Sequence, residues 1–265
     1  MIPSKLIIGI ESCAKYRHKQ DAVRKTWLKD SDKAGIKAYF LIGRPGRPSE
    51  VLGDILYLDC GDGYLDLPAK TIAFLRFIEG NFDYDYIYKC DDDTYVNIST
   101  LLKLSIEPYD YCGYQYKNMV LKNKWHEKHL EPHLRHQTYP GTYLGPWMTG
   151  GCGYLLSKRA VQYVINEYDK FINKEFYEDK LIGDIMRTNN MPSLVLVTFK
   201  EISGFDIYYI SALLKRKFSH YASFHPYSPL EMVWAYQGQR FLLLISFFLK
   251  YVSLKIGFIS DLLKR

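Results

Sequence analysis

The sequence predicts an α/β protein built on a sheet of parallel strands. Short apolar runs of strand length alternate with helix-length segments along the first 200 residues. The runs are apolar nearly throughout, as strands covered on both faces must be. Punctuation agrees, with Pro near one predicted helix start and Gly at its end.

KLIIGIES (residues 5–12) and KAYFLIG (37–43) read as buried strands, and the charged stretch KYRHKQDAVRKTW between them reads as a helix entered from a loop. DILYLDC (54–60) is a third strand, and DLPAKTIAFLRFIEG (66–80) is a helix bounded by Pro68 and Gly80. YDYIYKC is a fourth strand, and VNISTLLKLSI opens another helix. Residues 115–148, rich in His, Tyr, Pro and Gly, read as a long functional loop. MTGGCGYLLSKRAVQYVI returns to strand and then helix, EDKLIGDIMRT is a helix, and SLVLVTF is a short strand. The alternation argues for βα units, whose ligands bind beyond the carboxyl ends of the strands.

With 265 residues, 48% of them hydrophobic, the chain can bury one large core. Its 24 Tyr suit sugar or base pockets and core packing alike. A net charge of +6 fits a phosphorylated ligand or an anionic membrane surface, and no dense Lys/Arg stripe suggests nucleic acid. The five cysteines are scattered and form no C-x-x-C, which disfavours a zinc knuckle; reduced thiols are expected, with two disulfides as the alternative. MIPSKLIIGIES carries no secretory apolar stretch and reads as a strand, so a cytoplasmic location, peripheral to a membrane, is expected. The alternative is a Golgi-type lumen.

The chain divides at about residue 238 into a domain over 1–237 and a tail over 238–265. Ser246, Lys250, Ser253, Gly257, Ser260 and Lys264 recur every three or four residues along the tail and make one narrow polar face. Lys250, Lys255 and Asp261 make it a poor transmembrane span. An amphipathic helix fits, docked on a membrane surface, on this protein's own core or on a second copy in a homodimer.

Asp91, Asp92 and Asp93 end the fourth strand. Carboxylates suit Mg²⁺ or Mn²⁺ and would leave coordination positions for phosphate oxygens, although acidic runs at strand ends are also ordinary solvated turns. No phosphate-binding glycine loop, nucleophile elbow or H-E-x-x-H helix is present. His126, His129, His133 and His136 have helical spacing, but Pro132 interrupts them and favours a loop.

Six segments in order resemble glycosyltransferase family 31, which contains the β-1,3-galactosyltransferases, the β-1,3-N-acetylglucosaminyltransferases, core 1 galactosyltransferase and Fringe. They are ESCAKYRHKQDAVRKTW, GDGYLDLPAKT, YIYKCDDDTYVN, YPGTYLGPWMTGGCGYLLSKRAV, FYEDKLIG and SHYASFHPYSPLEM. The likeness covers about residues 5–236. Lys180 stands where that family commonly has Val, and residues between Asp93 and Tyr139 follow it loosely.

The resemblance implies a GT-A fold, a Rossmann-like nucleotide-sugar-binding domain with a mixed central sheet. It implies metal-dependent transfer of a hexose or N-acetylhexosamine from a UDP-sugar to a glycan or glycoconjugate hydroxyl, with inversion and a β-1,3 linkage. Asp91 and Asp93 would then meet the metal, with Asp92 beside the donor and His225 completing the set. His220 is the alternative to His225. An imidazole ligand favours Mn²⁺, with Mg²⁺ as the alternative. Asp179 would be the base and Glu178 its neighbour, although both also suit a helix start electrostatically. Arg17, Arg24 and Lys70 match basic positions near the donor. Gly150 and Gly151 would admit close backbone approach, and Trp125, Tyr139 and Trp147 are candidates to stack on an acceptor sugar. Two other classes compete: a catalytically silent glycan- or nucleotide-sugar-binding module, and a Mg²⁺-dependent nucleotidyltransferase or phosphatase, which would need a second acidic cluster.

Overall fold

Strands β1 (Leu6–Glu11) and β5 (Tyr86–Asp91) lie side by side and set the frame; only Asp91 among their residues is not buried. The computed structural model describes residues 5–115, 145–172, 175–201, 221–239, 242–243 and 245–250. Trp125, Tyr139, the histidines between residues 126 and 136, His220 and the tail beyond residue 250 lie outside the described residues.

The remaining strands are β2 (Lys37–Gly43), β3 (Glu50–Leu52), β4 (Ile55–Leu58), β6 (Tyr95–Val96), β7 (Tyr111–Gly113), β8 (Tyr154–Ser157), β9 (Ser193–Val195), β10 (Phe199–Glu201) and β11 (Ser223–His225). The helices are α1 (Arg17–Lys25), α2 (Leu28–Lys33), α3 (Leu67–Asn81), α4 (Ile98–Leu101), α5 (Lys158–Phe171), α6 (Glu178–Thr188) and α7 (Pro229–Tyr236). Eight strands form one sheet in the order β3-β4-β2-β1-β5-β8-β7-β9, and β10-β11-β6 form a second. In the large sheet β4, β2, β1 and β5 are parallel, whereas β3 and β8 run antiparallel to their neighbours. The sheet is therefore mixed.

Side-chain alternation along β1 divides the core in two. Leu6, Ile8 and Ile10 pack with Val23, Trp27 and Tyr88 on the α1 side. Ile7 packs with Phe74, Leu75 and Leu181 on the other. Gly9 is required there, because a Cβ would stand 2.6 Å from the Phe74 ring.

Two sequence expectations change. VNISTLLKLSI gives only the single turn of α4, capped by the Asn97 side chain. SLVLVTF divides into β9 and β10, one in each sheet, with Val197 exposed at the corner. All five cysteines are free.

The described start of the tail packs on the domain, with Leu243 and Phe247 buried against the α1-side core. The two described residues of the polar stripe face the protein: Ser246 Oγ and Lys250 Nζ donate to Glu231 at 2.7 and 2.6 Å, while Phe248 and Leu249 are exposed. No described helix is long and apolar enough to cross a membrane. Glu231 also closes the capping box of α7 with Ser228. Glu231→Ala removes the cap partner and strands Lys250 and Ser246, so unfolding free energy in urea should fall by about 2 kcal/mol. Lys250→Ala should cost well under half of that, because Lys250 is half exposed.

Candidate active site

From β1 the chain crosses to β2 on one side, whereas β5 joins β1 on the other. The connections diverge there, and a crevice opens at the carboxyl ends of the two strands. Glu11 and Asp91, the last residues of β1 and β5, are paired in register at its floor.

The turn after Asp91 is fastened through its backbone. Asp92 N–H donates to Glu11 O (3.0 Å) and Thr94 N–H to Asp91 O (3.1 Å). The buried Trp27 indole donates to Thr94 O (2.9 Å), and Tyr227 N–H to Asp93 O (2.7 Å). The Thr94 hydroxyl reaches Gly151 O at 2.6 Å. Directly after the turn, β6 pairs antiparallel with β11, with Ser223 opposite Val96 and Phe224 opposite Tyr95. That register carries the next residue of β11, His225, to Asp93.

Asp91, Asp93 and His225 each offer a ligand atom, and these atoms lie within 4.8 Å of one another. His225 Nε2 and Asp93 Oδ1 are 3.1 Å apart. Two ligands about 2.1 Å from one ion at right angles stand about 3 Å apart, so this spacing fits a small divalent cation. A set of two carboxylates and an imidazole suits Mn²⁺ well. Gly151 makes room for it, since a Cβ there would meet the His225 ring at 2.5 Å.

The cavity over this cluster measures about 490 Å³, within the size range of small-molecule sites. Glu11, Asp62, Asp91, Asp92 and Asp93 line it with Lys15, Lys19 and Lys70. Five carboxylates against three ammonium groups leave a formal excess of two negative charges, which one divalent cation would cancel. Burial raises Asp91 above the usual carboxylate range and pushes Asp92 up to about 7 against the pull of Lys19 and Ser12. Burial acts to raise Asp93 too, but His225 and Lys19 outweigh it and hold its carboxyl at about 2.

A smaller cavity of about 110 Å³ shares the walls Glu11, Tyr64, Leu67 and Asp91 and continues to Asp179. Asp179 stands in the first turn of α6, where Gly150 N–H donates to Oδ2 (3.1 Å) and Lys180 N–H to Oδ1 (2.8 Å). Burial, with Glu178 beside it, pushes this carboxyl up to about 6. Glu178 lines this cavity too, but its carboxylate is committed, accepting from Lys89 Nζ at 3.1 Å and from the Tyr154 hydroxyl. It therefore anchors the helix, and Asp179 faces the cavity.

Lys70 is wholly buried, 3.1 Å from Glu11 and 2.8 Å from Asp62, on the edge of the larger cavity. Arg24 departs from the expected donor position. Its guanidinium holds Asp54 at 2.6 and 3.0 Å and Asp21 at 2.9 Å, over the Phe40 ring, so three of its five N–H donors and its charge are committed there. Arg24 and Arg17 line a separate cavity of about 560 Å³. Trp147 is not placed to stack on a sugar: it is buried against Gly183 of α6, with the Lys180 ammonium 5.7 Å from its ring centre. Tyr64, Phe176 and Tyr177 supply the aromatic lining instead. The sequence reading also passed over Glu11, Lys19 and Lys89. Glu11 and Lys89 were signalled as charges set in apolar strands; nothing local distinguished Lys19.

The Galactosyltransferase family model matches residues 18–194, a span that holds the three aspartates and Asp179 but not His225. Among curated proteins, the chain is 29% identical over 195 residues to probable beta-1,3-galactosyltransferase 4 of Arabidopsis thaliana, covering 64% of this chain and 47% of that protein. It is 28% identical over 188 residues to hydroxyproline O-galactosyltransferase GALT2 of the same plant, covering 62% and 25%. The matched region thus spans about half or less of these relatives. Among solved structures, it is similar to a glycosyltransferase involved in glycosylation of the major capsid of PBCV-1, with TM-score 0.49 and 12% identity over 86% of this chain and 97% of that one. A second is the galactosyltransferase LgtC, with TM-score 0.45 and 13% identity over 84% and 87%. With two thirds of its length matched by one family model, and with the acidic strand end and mixed sheet in place, the chain belongs to the galactosyltransferase family, glycosyltransferase family 31, on a GT-A fold.

Proposed function

We propose that this protein is a metal-dependent, inverting glycosyltransferase that moves a hexose or N-acetylhexosamine from a UDP-sugar to a hydroxyl of a glycan or glycoconjugate, forming a β-1,3 linkage. The named relatives are galactosyltransferases, which makes UDP-galactose the first donor to test. One observation carries the reading: Asp179 and Asp91 line the same small cavity, which opens onto the Asp91–Asp93–His225 cluster.

Asp91, Asp93 and His225 would hold the divalent ion. When bound, it supplies positive charge to the diphosphate and so makes UDP a better leaving group. Asp179 accepts the proton of the acceptor hydroxyl as that oxygen attacks the anomeric carbon. The bond to the UDP oxygen breaks on the opposite face, and UDP departs with the electron pair. The Gly150 and Lys180 N–H groups orient the Asp179 carboxylate, and Lys89 with Tyr154 occupies the Glu178 carboxylate beside it. Tyr64, Phe176 and Tyr177 present apolar ring surface to the sugar and exclude water.

Asp179→Asn should lower kcat at least about 1,000-fold, because it removes the base. UDP and Mn²⁺ binding by calorimetry should stay nearly unchanged, whereas Asp93→Asn should weaken both. Near-normal turnover of Asp179→Asn would refute the base assignment.

Asp179 serves as a base only when ionised. Its raised pKa therefore predicts a rate that falls as pH drops through about 6, an acid limb that Asp179→Asn should lack. Gly151→Ala drives a methyl group into the His225 ring, and Mn²⁺ affinity should drop about tenfold or more while circular dichroism stays native.

A further inference from the structure

Lys19, in the first turns of α1, is placed against the acidic turn. Its Nζ stands 3.1 Å from Asp92 Oδ1 and 3.0 Å from Asp93 Oδ2, with the Tyr16 ring 4.7 Å away. Both carboxylates pair with its ammonium group. Asp93 is thereby divided: Oδ2 meets Lys19, and Oδ1 faces His225. Lys19 also lines the larger cavity, and its side chain is 23% exposed there. Lys70, by contrast, is enclosed and committed to Glu11, Asp62 and Ser12 O.

We propose that Lys19 is the resident counter-cation of the acidic turn and that it transfers its ammonium to the diphosphate of the nucleotide sugar once a divalent metal ion occupies Asp93. This rests on the glycosyl-transfer reading above. Lys19 and the metal ion compete for the same negative charge before the donor arrives, since like charges on one carboxylate repel. A nucleoside diphosphate reverses the sign of the coupling by bringing enough negative charge for both. The lysine stem is flexible and its three donors rotate freely, so a small swing keeps the ammonium paired throughout. Lys19 is then a binding residue for the donor and an antagonist of the bare metal.

The test is titration of the full chain with Mn²⁺ alone, followed by free Mn²⁺ in electron paramagnetic resonance, and titration with UDP at saturating Mn²⁺ by calorimetry. Lys19→Met keeps the stem and deletes the charge. Mn²⁺ affinity without nucleotide should rise about threefold to tenfold, because a repelling cation is gone. UDP affinity should fall about tenfold or more, the worth of one charge-assisted contact. Lys19→Arg should restore wild-type values for both. Opposite movement of the two affinities is the signature. If both fall together, Lys19 only braces the turn and the proposal is overturned; unchanged affinities overturn it equally. Failure of the wild-type chain to bind UDP with Mn²⁺ would overturn the transferase reading as well. Wild-type binding with an unaffected Lys19→Met variant would remove the Lys19 assignment alone.

Discussion

The ammonium of Lys89 lies in the middle of the protein, and the cleft is arranged around the need to neutralise it. Lys89 belongs to β5, two residues before Asp91, and its side chain is 2% exposed. Burial alone would strip its charge, but Glu178 at 3.1 Å and Glu11 at 3.6 Å hold its pKa above the ordinary lysine range. Glu11 in turn takes Lys70 from α3, and Lys70 takes Asp62. A buried pair of this kind gives little net stability, yet removing one member costs about 3–5 kcal/mol because the other is left charged and unpaired. The network therefore works as a gauge: β1, β5, α3 and α6 can assemble in only the register that pairs all of its charges. Asp179 follows Glu178 directly, so the anchor that fixes α6 to β5 also fixes the distance from Asp179 to Asp91.

A second constraint acts on the acidic turn. Clustered carboxylates repel, and an unsupported turn would spread them apart. Here Glu11, Trp27, Gly151 and Tyr227, from four distant parts of the chain, each take up a backbone or hydroxyl group of residues 92–94. With main-chain groups satisfied by the protein, the side chains of Asp91 and Asp93 are left to face the cavity. Scattered sequence features become parts of one clamp. The Thr-Trp pair supplies the indole donor, the glycine pair lets the backbone and the His225 ring approach, and Ser-Phe-His-Pro brings the β11 edge.

Much of this was legible in sequence because it depended on local signals. The parallel strands, the capped helices and the acidic strand end follow from periodicity and punctuation, and the ordered motifs singled out Asp179 and His225. What escaped reading depended on long-range partners. Trp147 has the composition of a sugar platform, yet the missing side chain of Gly183 opens a slot that swallows it. Arg24 has the charge for a phosphate, but Asp54, thirty residues away, claims it. Lys19 is one of several lysines and arginines on a charged helix, and only the fold reveals that it, and not Arg17 or Arg24, meets the aspartates. The tail shows the same limit. Periodicity found its polar stripe, but the buried Glu231 binds the first two residues of it, Ser246 and Lys250.

The carboxylates of Asp93 and Asp179 are set apart by their surroundings. Asp93 lies between an imidazole and an ammonium, and its carboxyl is held near 2. At Asp179 two backbone dipoles and the more remote Lys89 offset only part of the burial cost, and its carboxyl rises to about 6. Such a group can take a proton near neutral pH and give it up again, which a base must do on every turnover. Pairs of carboxyl groups pulled in opposite directions by their settings are a general mark of divided catalytic labour. Here the division follows from where Lys19, Lys89 and His225 stand, and each of those positions is fixed by strand register or by a buried charge.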